Sequence, residues 1–206
     1  EEGTVDIYAI DTPWVPEFGR AGWAEPLNDR VPGLRENFNE RGLETFSYEG
    51  DILGVPFWGS ISGLYYRTDL LEEYGFEVPQ TYDDMLRIAD TITADRPELT
   101  AFTWPGAKEE SLVMVFSDFL HGFGGSYRDD AGNYAFDSEN AVEALSFMKR
   151  LVDEGYSPQE TSAWRGEESR RRFVEGDAIF TWHNSDLVIW LDDPERSNVV
   201  GNWNFT

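Results

Sequence analysis

The sequence predicts an α/β fold. Three observations carry that expectation: short runs rich in β-branched and aromatic residues, amphipathic stretches with readable helix caps, and the alternation of the two along 206 residues. Val5 to Ile10 reads as a strand ended by Asp11, Thr12 and Pro13, and Phe18 to Ala21 as a short helix closed by Gly22. An irregular polar segment with Pro32 and Gly33 follows. Glu49-Gly50-Asp51 marks a turn before the apolar Ile52 to Trp58, and Ile61 to Arg67 reads as a strand despite Gly63. Thr81 and Asp84 have the form of a capping box ahead of Met85, Ile88, Ala89 and Ile92 at helical spacing. Leu112, Val115, Phe116, Phe119 and Leu120 make a second helical stripe, stopped by Gly122, Gly124 and Gly125. Asp129 to Asn133 reads as a hairpin turn leading to a strand at Tyr134 to Phe136. Ser138 caps a helix on which Val142, Leu145, Met148 and Val152 share a face, with Gly155 just past its end. Glu167 to Glu175 is a charged helix ending at Gly176, and strands are expected at Ala178 to Trp182 and Val199 to Phe205.

Forty acidic residues stand against 16 basic ones, a formal charge of −24, and the only lysines are Lys108 and Lys149. Such a surface repels nucleic acid and anionic lipid, so neither is expected as a partner. Aromatic residues make up 15% of the chain and the acids are spread through patterned segments, which argues against disorder. The expectation is a folded, halophilic protein whose self-repulsion is screened by concentrated salt. Cysteine is absent, which excludes disulfides and thiolate metal sites. The chain opens within an apparent strand and stops in another, as expected of a piece of a longer protein whose targeting segment lies upstream.

Four tryptophans stand where a helical or strand core would not place them. Trp14 follows a strand end, Trp58 precedes Gly59 and Ser60, Trp104 is bracketed by Thr103, Pro105 and Gly106, and Trp182 precedes His183 and Asn184. Strand ends joined to loops are where α/β folds place ligands. An indole face matches the C–H patch of a pyranose, while nearby carboxylates and amides serve its hydroxyls. Core or rim packing is the competing account of each ring. Glu109 with Glu110, or Asp83 with Asp84, could be imagined as a glycosidase pair, but neighbours on a helix diverge by about 100° and rarely converge on one bond. His121 and His183 lack metal-ligand spacing, and no serine-hydrolase, Walker or dinucleotide motif occurs. No catalytic residue, metal or cofactor is assigned.

The stretch LYYRTDLLEEYGFEVPQTYDDMLRIADTI, Leu64 to Ile92, resembles the segment entering the second lobe of family 1 extracellular solute-binding proteins, the sugar-binding components of ABC importers related to maltose- and trehalose-binding proteins. DIYAIDTPWVPEFGRAGWAEPL is similar to the family strand–loop–helix in which an Asp and a Trp face the sugar, which implicates Asp11 and Trp14. GVPFWGSISGLYYR maps Trp58 and Ser60 onto an aromatic followed two later by Asp, a pattern from which Ser60 departs. TWPGAKEESL resembles the W-x-G…Y-E-G-L segment and points to Trp104 and Glu110, with Glu109 in place of an aromatic. RRRFVEGDAIFTWHNS is similar to the F-x-x-G-x-A-x-F block and extends to Trp182 and Asn184.

The resemblance implies a periplasmic-binding-protein-like (type II) two-lobe α/β fold. Residues 1–67 would form a partial first lobe with the hinge crossing, and 68–206 a second lobe ending at the return crossing. It further implies a monomeric, non-enzymatic capture protein for a malto-oligosaccharide or trehalose-like sugar. Such a protein is extracellular, cell-surface or periplasmic, anchored in its full-length form, and docks on a membrane permease by hinge closure. A polyamine or peptide in place of the sugar, and a glycan-processing enzyme, are the alternatives.

Overall fold

A computed structural model describes residues 6–206. The chain divides into two compact units, one ending at Gly59 and one covering Ser60–Thr206.

In the first unit a 3-10 turn at Thr12–Trp14 runs into α1 (Val15–Ala21), followed by α2 (Leu34–Asn37), α3 (Glu40–Thr45), β1 (Ser47–Tyr48) and β2 (Asp51–Ile52). Gly22 closes α1 at φ 66°, a left-handed cap that favours glycine. Asn39 caps α3 by accepting the Gly42 N–H at 2.6 Å. β1 and β2 pair antiparallel across Glu49 and Gly50, both at positive φ, as a two-residue hairpin turn demands. Leu34, Leu43 and Ile52 form a small core. The expected first strand is not seen: Val5 lies outside the described residues, and 6–10 pair with no strand among the described residues, with Ile7 90% exposed. A lone strand leaves its backbone groups to water, so β-propensity without a partner has nothing to stabilise it.

The second unit runs β3 (Ser62–Arg67), α4 (Thr68–Glu73), α5 (Tyr82–Asp95), β4 (Thr100–Thr103), α6 (Glu110–Gly122) and α7 (Glu139–Asp153). A 3-10 turn at Gln159–Ala163 leads to α8 (Gly166–Val174), β5 (Ala178–Asn184), a 3-10 turn at Ser185–Leu187, α9 (Val188–Leu191) and β6 (Trp203–Phe205). The sheet order is β4-β5-β3-β6; β4 and β5 are parallel, and β3 is antiparallel to both β5 and β6. Ser62–Arg67 is thus held between two strands of this unit, so by packing it belongs here, although the expected boundary falls after Arg67.

Register fixes which side chains share a face. Leu64 pairs with Trp182, Tyr66 with Phe180, and Phe180 with Phe102. These face the main core with α5, α6 and α7, around Phe119, Ile92 and Leu151. Tyr65, one residue out of phase, faces the opposite side with Phe173, Leu187, Leu191 and Val199. The unit is therefore a helix–sheet–helix sandwich, the layered arrangement of α/β folds.

Thr81 accepts the Asp84 N–H at 3.1 Å and Ser138 the Ala141 N–H at 3.3 Å, so both caps form as the sequence predicts. The rotation of α7 differs from the expected one. Val142 and Leu145 are 55% and 60% exposed, whereas Ala141, Ala144, Phe147, Met148 and Leu151 are buried. The two stripes share Met148, and the one carrying Phe147 and Leu151 buries the larger apolar area. Tyr134 to Phe136 contributes a single bridge, Arg128 to Tyr134, rather than a strand. The last strand is short because Val199 turns into the second core and Gly201 takes φ 73° before Trp203.

Candidate functional site

β4 and β5 are parallel; β4 ends at Thr103, opposite Thr181, and β5 runs three residues further, to Asn184. Past the end of β4, on the last residues of β5, lies a groove floored by Trp182 and Asn184, which alternate with the buried His183 and so share one face. Ser62, paired with Asn184, closes the sheet side, and Pro105 and Gly166 close the loop side. Helix α6 supplies the opposite wall through Ser111, Met114, Val115 and Asp118, positions one face of a helix brings together. The hollow holds about 50 Å³, room for a few waters. Ligand pockets hold about 300–1,000 Å³, so the hollow by itself is too small to enclose a drug-sized molecule.

Trp182 is firmly set. Its indole N–H donates to Asp118 Oδ2 at 2.8 Å, and its ring leans on Phe119 at 5.4 Å between centroids and 32° between planes. Phe119 is fully buried and does not give way. Burial pushes the Tyr82 hydroxyl up to about 12, with the charge of Asp118 adding to the effect. His183 donates from Nε2 to the Gly166 carbonyl at 3.1 Å, tying β5 to the start of α8. Its Nδ1 stands 3.6 Å from Asp186 Oδ1, beyond hydrogen-bond reach, and the imidazole holds the Asp186 carboxyl below the usual carboxylate range. The rim loops are stitched by the Ala107 N–H donating to the Trp164 carbonyl at 2.8 Å and by Arg165 Nε, 3.4 Å from Glu109 Oε2.

The sequence-predicted residues scatter around this groove. Trp182 and Asn184 line it. Ser60 sits beside it in the chain, its Oγ 3.2 Å from Ser185 Oγ. Glu110 opens α6 and is exposed, while the next residue, Ser111, reaches the groove. Trp104, expected to face ligand, lies in the core: it is 6% exposed, and its indole N–H donates to buried Ser157 Oγ at 3.1 Å. Its ring has a complete set of protein partners, so the packing account applies to it. In the first unit Asp11 caps the 3-10 turn by accepting the Thr12 N–H at 2.7 Å, and Trp14 ends that turn, 52% exposed and stacked on Phe18. Trp58 follows in an irregular stretch, 66% exposed. No sequence motif marks Asp118, Ser111 or Met114; their helical spacing beside the Val115–Phe119 stripe is the signal that finds them. Among the described residues no group of three or more His, Cys, Asp or Glu is placed to hold a metal ion.

The profile of the bacterial extracellular solute-binding proteins matches residues 1–197. The chain belongs to this family. It is 26% identical over 183 residues to a probable ABC transporter-binding protein of Deinococcus radiodurans, a match covering 85% of this chain and 43% of that one. Against the maltodextrin-binding protein MdxE of Bacillus subtilis it is 25% identical over 172 residues, covering 78% and 39% respectively. Among solved structures, maltose-bound MalE3 of T. maritima superposes with a TM-score of 0.87 at 30% identity, covering 96% of this chain and 50% of that one. A ribitol complex of a solute-binding protein from Agrobacterium radiobacter follows with a TM-score of 0.83 at 24% identity, covering 96% and 51%. The fold is the α/β fold of periplasmic-binding proteins, and the chain spans about half the length of the relatives it matches. No helix among the described residues is long and apolar enough to cross a membrane.

Proposed function

We propose that this solute-binding chain contributes one wall of a sugar site in the extracytoplasmic binding component of an ABC importer. The carrying observation is the Trp182 ring, fixed at the carboxyl ends of two parallel strands and flanked by Asp118, Asn184, Ser62 and Ser111. A flat apolar face ringed by hydroxyl, amide and carboxylate groups is the chemistry a pyranose or an oligosaccharide needs. The names of relatives support the class without choosing a member: they include a maltodextrin-, a lactose- and an arabinooligosaccharide-binding protein.

In this reading Trp182 and Asn184 contact the sugar, Ser60 and Glu110 stand at the margins, and Asp11, Trp14 and Trp58 offer exposed surfaces of the same chemistry in the first unit. Residues 1–67, whose last strand β3 is the crossing segment packed in the second unit, and residues 68–206 then correspond to parts of two lobes, and ligand binding favours a closed form that docks on a membrane permease. A monomer at the outer face of the membrane, anchored in its full-length form, completes the proposal.

Isothermal titration of the full-length protein in molar KCl, with maltose, trehalose and maltotriose, tests the reading. Saturable binding of one of them supports it. Absence of binding across the panel, with a thermal shift produced by spermidine or a peptide mixture, keeps the capture role and discards the sugar; hydrolysis of a chromogenic glycoside overturns it.

A further inference from the structure

Asp118 is the one acidic side chain lining the groove, and its two oxygens have different surroundings. Oδ2 accepts the Trp182 indole N–H at 2.8 Å. Oδ1 has no hydrogen-bond donor among the described residues, and no Lys, Arg or His among them lies within ion-pair distance of either oxygen. The carboxylate is half-buried, on the helix face that also carries Met114 and Val115 into the groove. Oδ1 is not among the buried side-chain atoms left without a partner, so it is an acceptor open to the groove, served by water or by a ligand.

We propose that Asp118 is a specificity-determining residue of the groove: Oδ2 sets the plane of the Trp182 ring, and Oδ1 accepts a hydroxyl of a polyhydroxy ligand laid on that ring. The inference rests on the sugar reading above and adds to it the acceptor that discriminates among sugars. The first role is pre-organisation. The indole is held at its N–H by a charge-assisted hydrogen bond and at its face by buried Phe119, which leaves it little rotamer freedom to lose on binding. The second role is selection. An ionised carboxylate only accepts, so it favours a ligand presenting a hydroxyl hydrogen at that point and rejects one presenting an acceptor or an anionic group.

The test uses the full-length protein with D118N and D118L. Asparagine keeps an oxygen for the indole N–H but turns an amide N–H₂ toward the ligand; leucine removes both functions. Two readouts are taken: the Trp182 indole N–H resonance, assigned by its loss in W182F, and the affinity for maltose, trehalose and maltotriose. In D118N the resonance persists while affinity for the bound sugar falls about 10-fold to 100-fold, the range of one hydrogen bond to a charged group. In D118L the resonance also moves and broadens. A thermal midpoint near that of the unmodified protein in D118N separates loss of the acceptor from loss of the fold. An indole resonance unmoved in D118L overturns the positioning role. Undiminished affinity in D118N, with the unmodified protein binding sugar, overturns the acceptor role alone. No sugar binding by the unmodified protein overturns the sugar reading and the acceptor role with it.

Discussion

Replacing Ser157 with alanine separates the two roles open to Trp104. Ser157 is 1% exposed, receives the Trp104 indole N–H at 3.1 Å and donates to the Phe102 carbonyl at 2.8 Å. One hydroxyl therefore joins the end of β4 to the ring that follows it. S157A strands a buried indole N–H, at about 1–3 kcal/mol, and removes a second hydrogen bond with a net worth of about 0.5–1.5 kcal/mol. The sum, about 1.5–4.5 kcal/mol, lowers the thermal midpoint of a chain this long by about 3–18 °C. Urea unfolding followed by tryptophan fluorescence and far-UV dichroism gives the free-energy change, and the slope m reports whether the denatured state changed as well. The companion variant W104F has no N–H to strand. In that background S157A costs less, with a coupling of at least about 1 kcal/mol in the double-mutant cycle. A cost below about 0.5 kcal/mol, or equal costs in the two backgrounds, would refute the core assignment and return Trp104 to the list of rings open to a ligand.

Three further outcomes follow from the same structure. In G106A the new Cβ would meet the Thr161 carbonyl oxygen at 2.5 Å, a backbone clash with no flexible partner to yield, so stability drops by about 1–3 kcal/mol in the urea midpoint. Asp69 balances burial, which raises its pKa, against a two-pronged contact with Arg67 at 2.7 and 2.5 Å; the contact prevails and the pKa lies below the ordinary 3.8. A depressed folded-state value gives stability that is full above about 3.8 and lost as pH falls through the folded value, so D69N flattens the acid limb of a pH–stability series and leaves its shape near neutrality unchanged. Finally, a charge of −24 makes stability rise with ionic strength. A midpoint indifferent to KCl between about 0.05 and 2 M would remove the argument for a protein adapted to salt.

Capped helices were the most legible elements. Thr81 and Ser138 announce their helices because an N-cap is a local chemical device, readable within four residues. Helices α2 and α3 were not legible, since four and six residues cannot display a stripe. The rotation of α7 failed for a tertiary reason: two overlapping apolar stripes exist, and only the packing of Phe147 against Tyr82, Phe119 and Phe123 chooses between them. Of the four candidate tryptophans, Trp182 lines the groove and Trp104 lies in the core, although one stands near the end of β5 and the other just past the end of β4, each beside polar residues. What separates them is the partner of the indole N–H, Asp118 for one and Ser157 for the other, and both partners lie more than fifty residues away in sequence. Asp118 was invisible for the same reason, being one of 40 acids until the fold places it at the N–H edge of the Trp182 ring.

The pairing of β3 with β6 carries a topological consequence. Leu64 and Thr206 exchange both backbone hydrogen bonds at 3.0 Å, so residues 60 and 206 of the second unit stand at neighbouring ends of two adjacent antiparallel strands. Everything between them, including the groove, hangs on that double stem as a cassette. A short turn joining residue 206 to residue 60 would close the cassette into a ring without crossing its core, and new ends could be cut in an exposed turn such as Asp129–Asn133. Grafting would then mean exchanging the whole groove through two neighbouring splice points, with β5, which bears both Trp182 and Asn184, carried over intact.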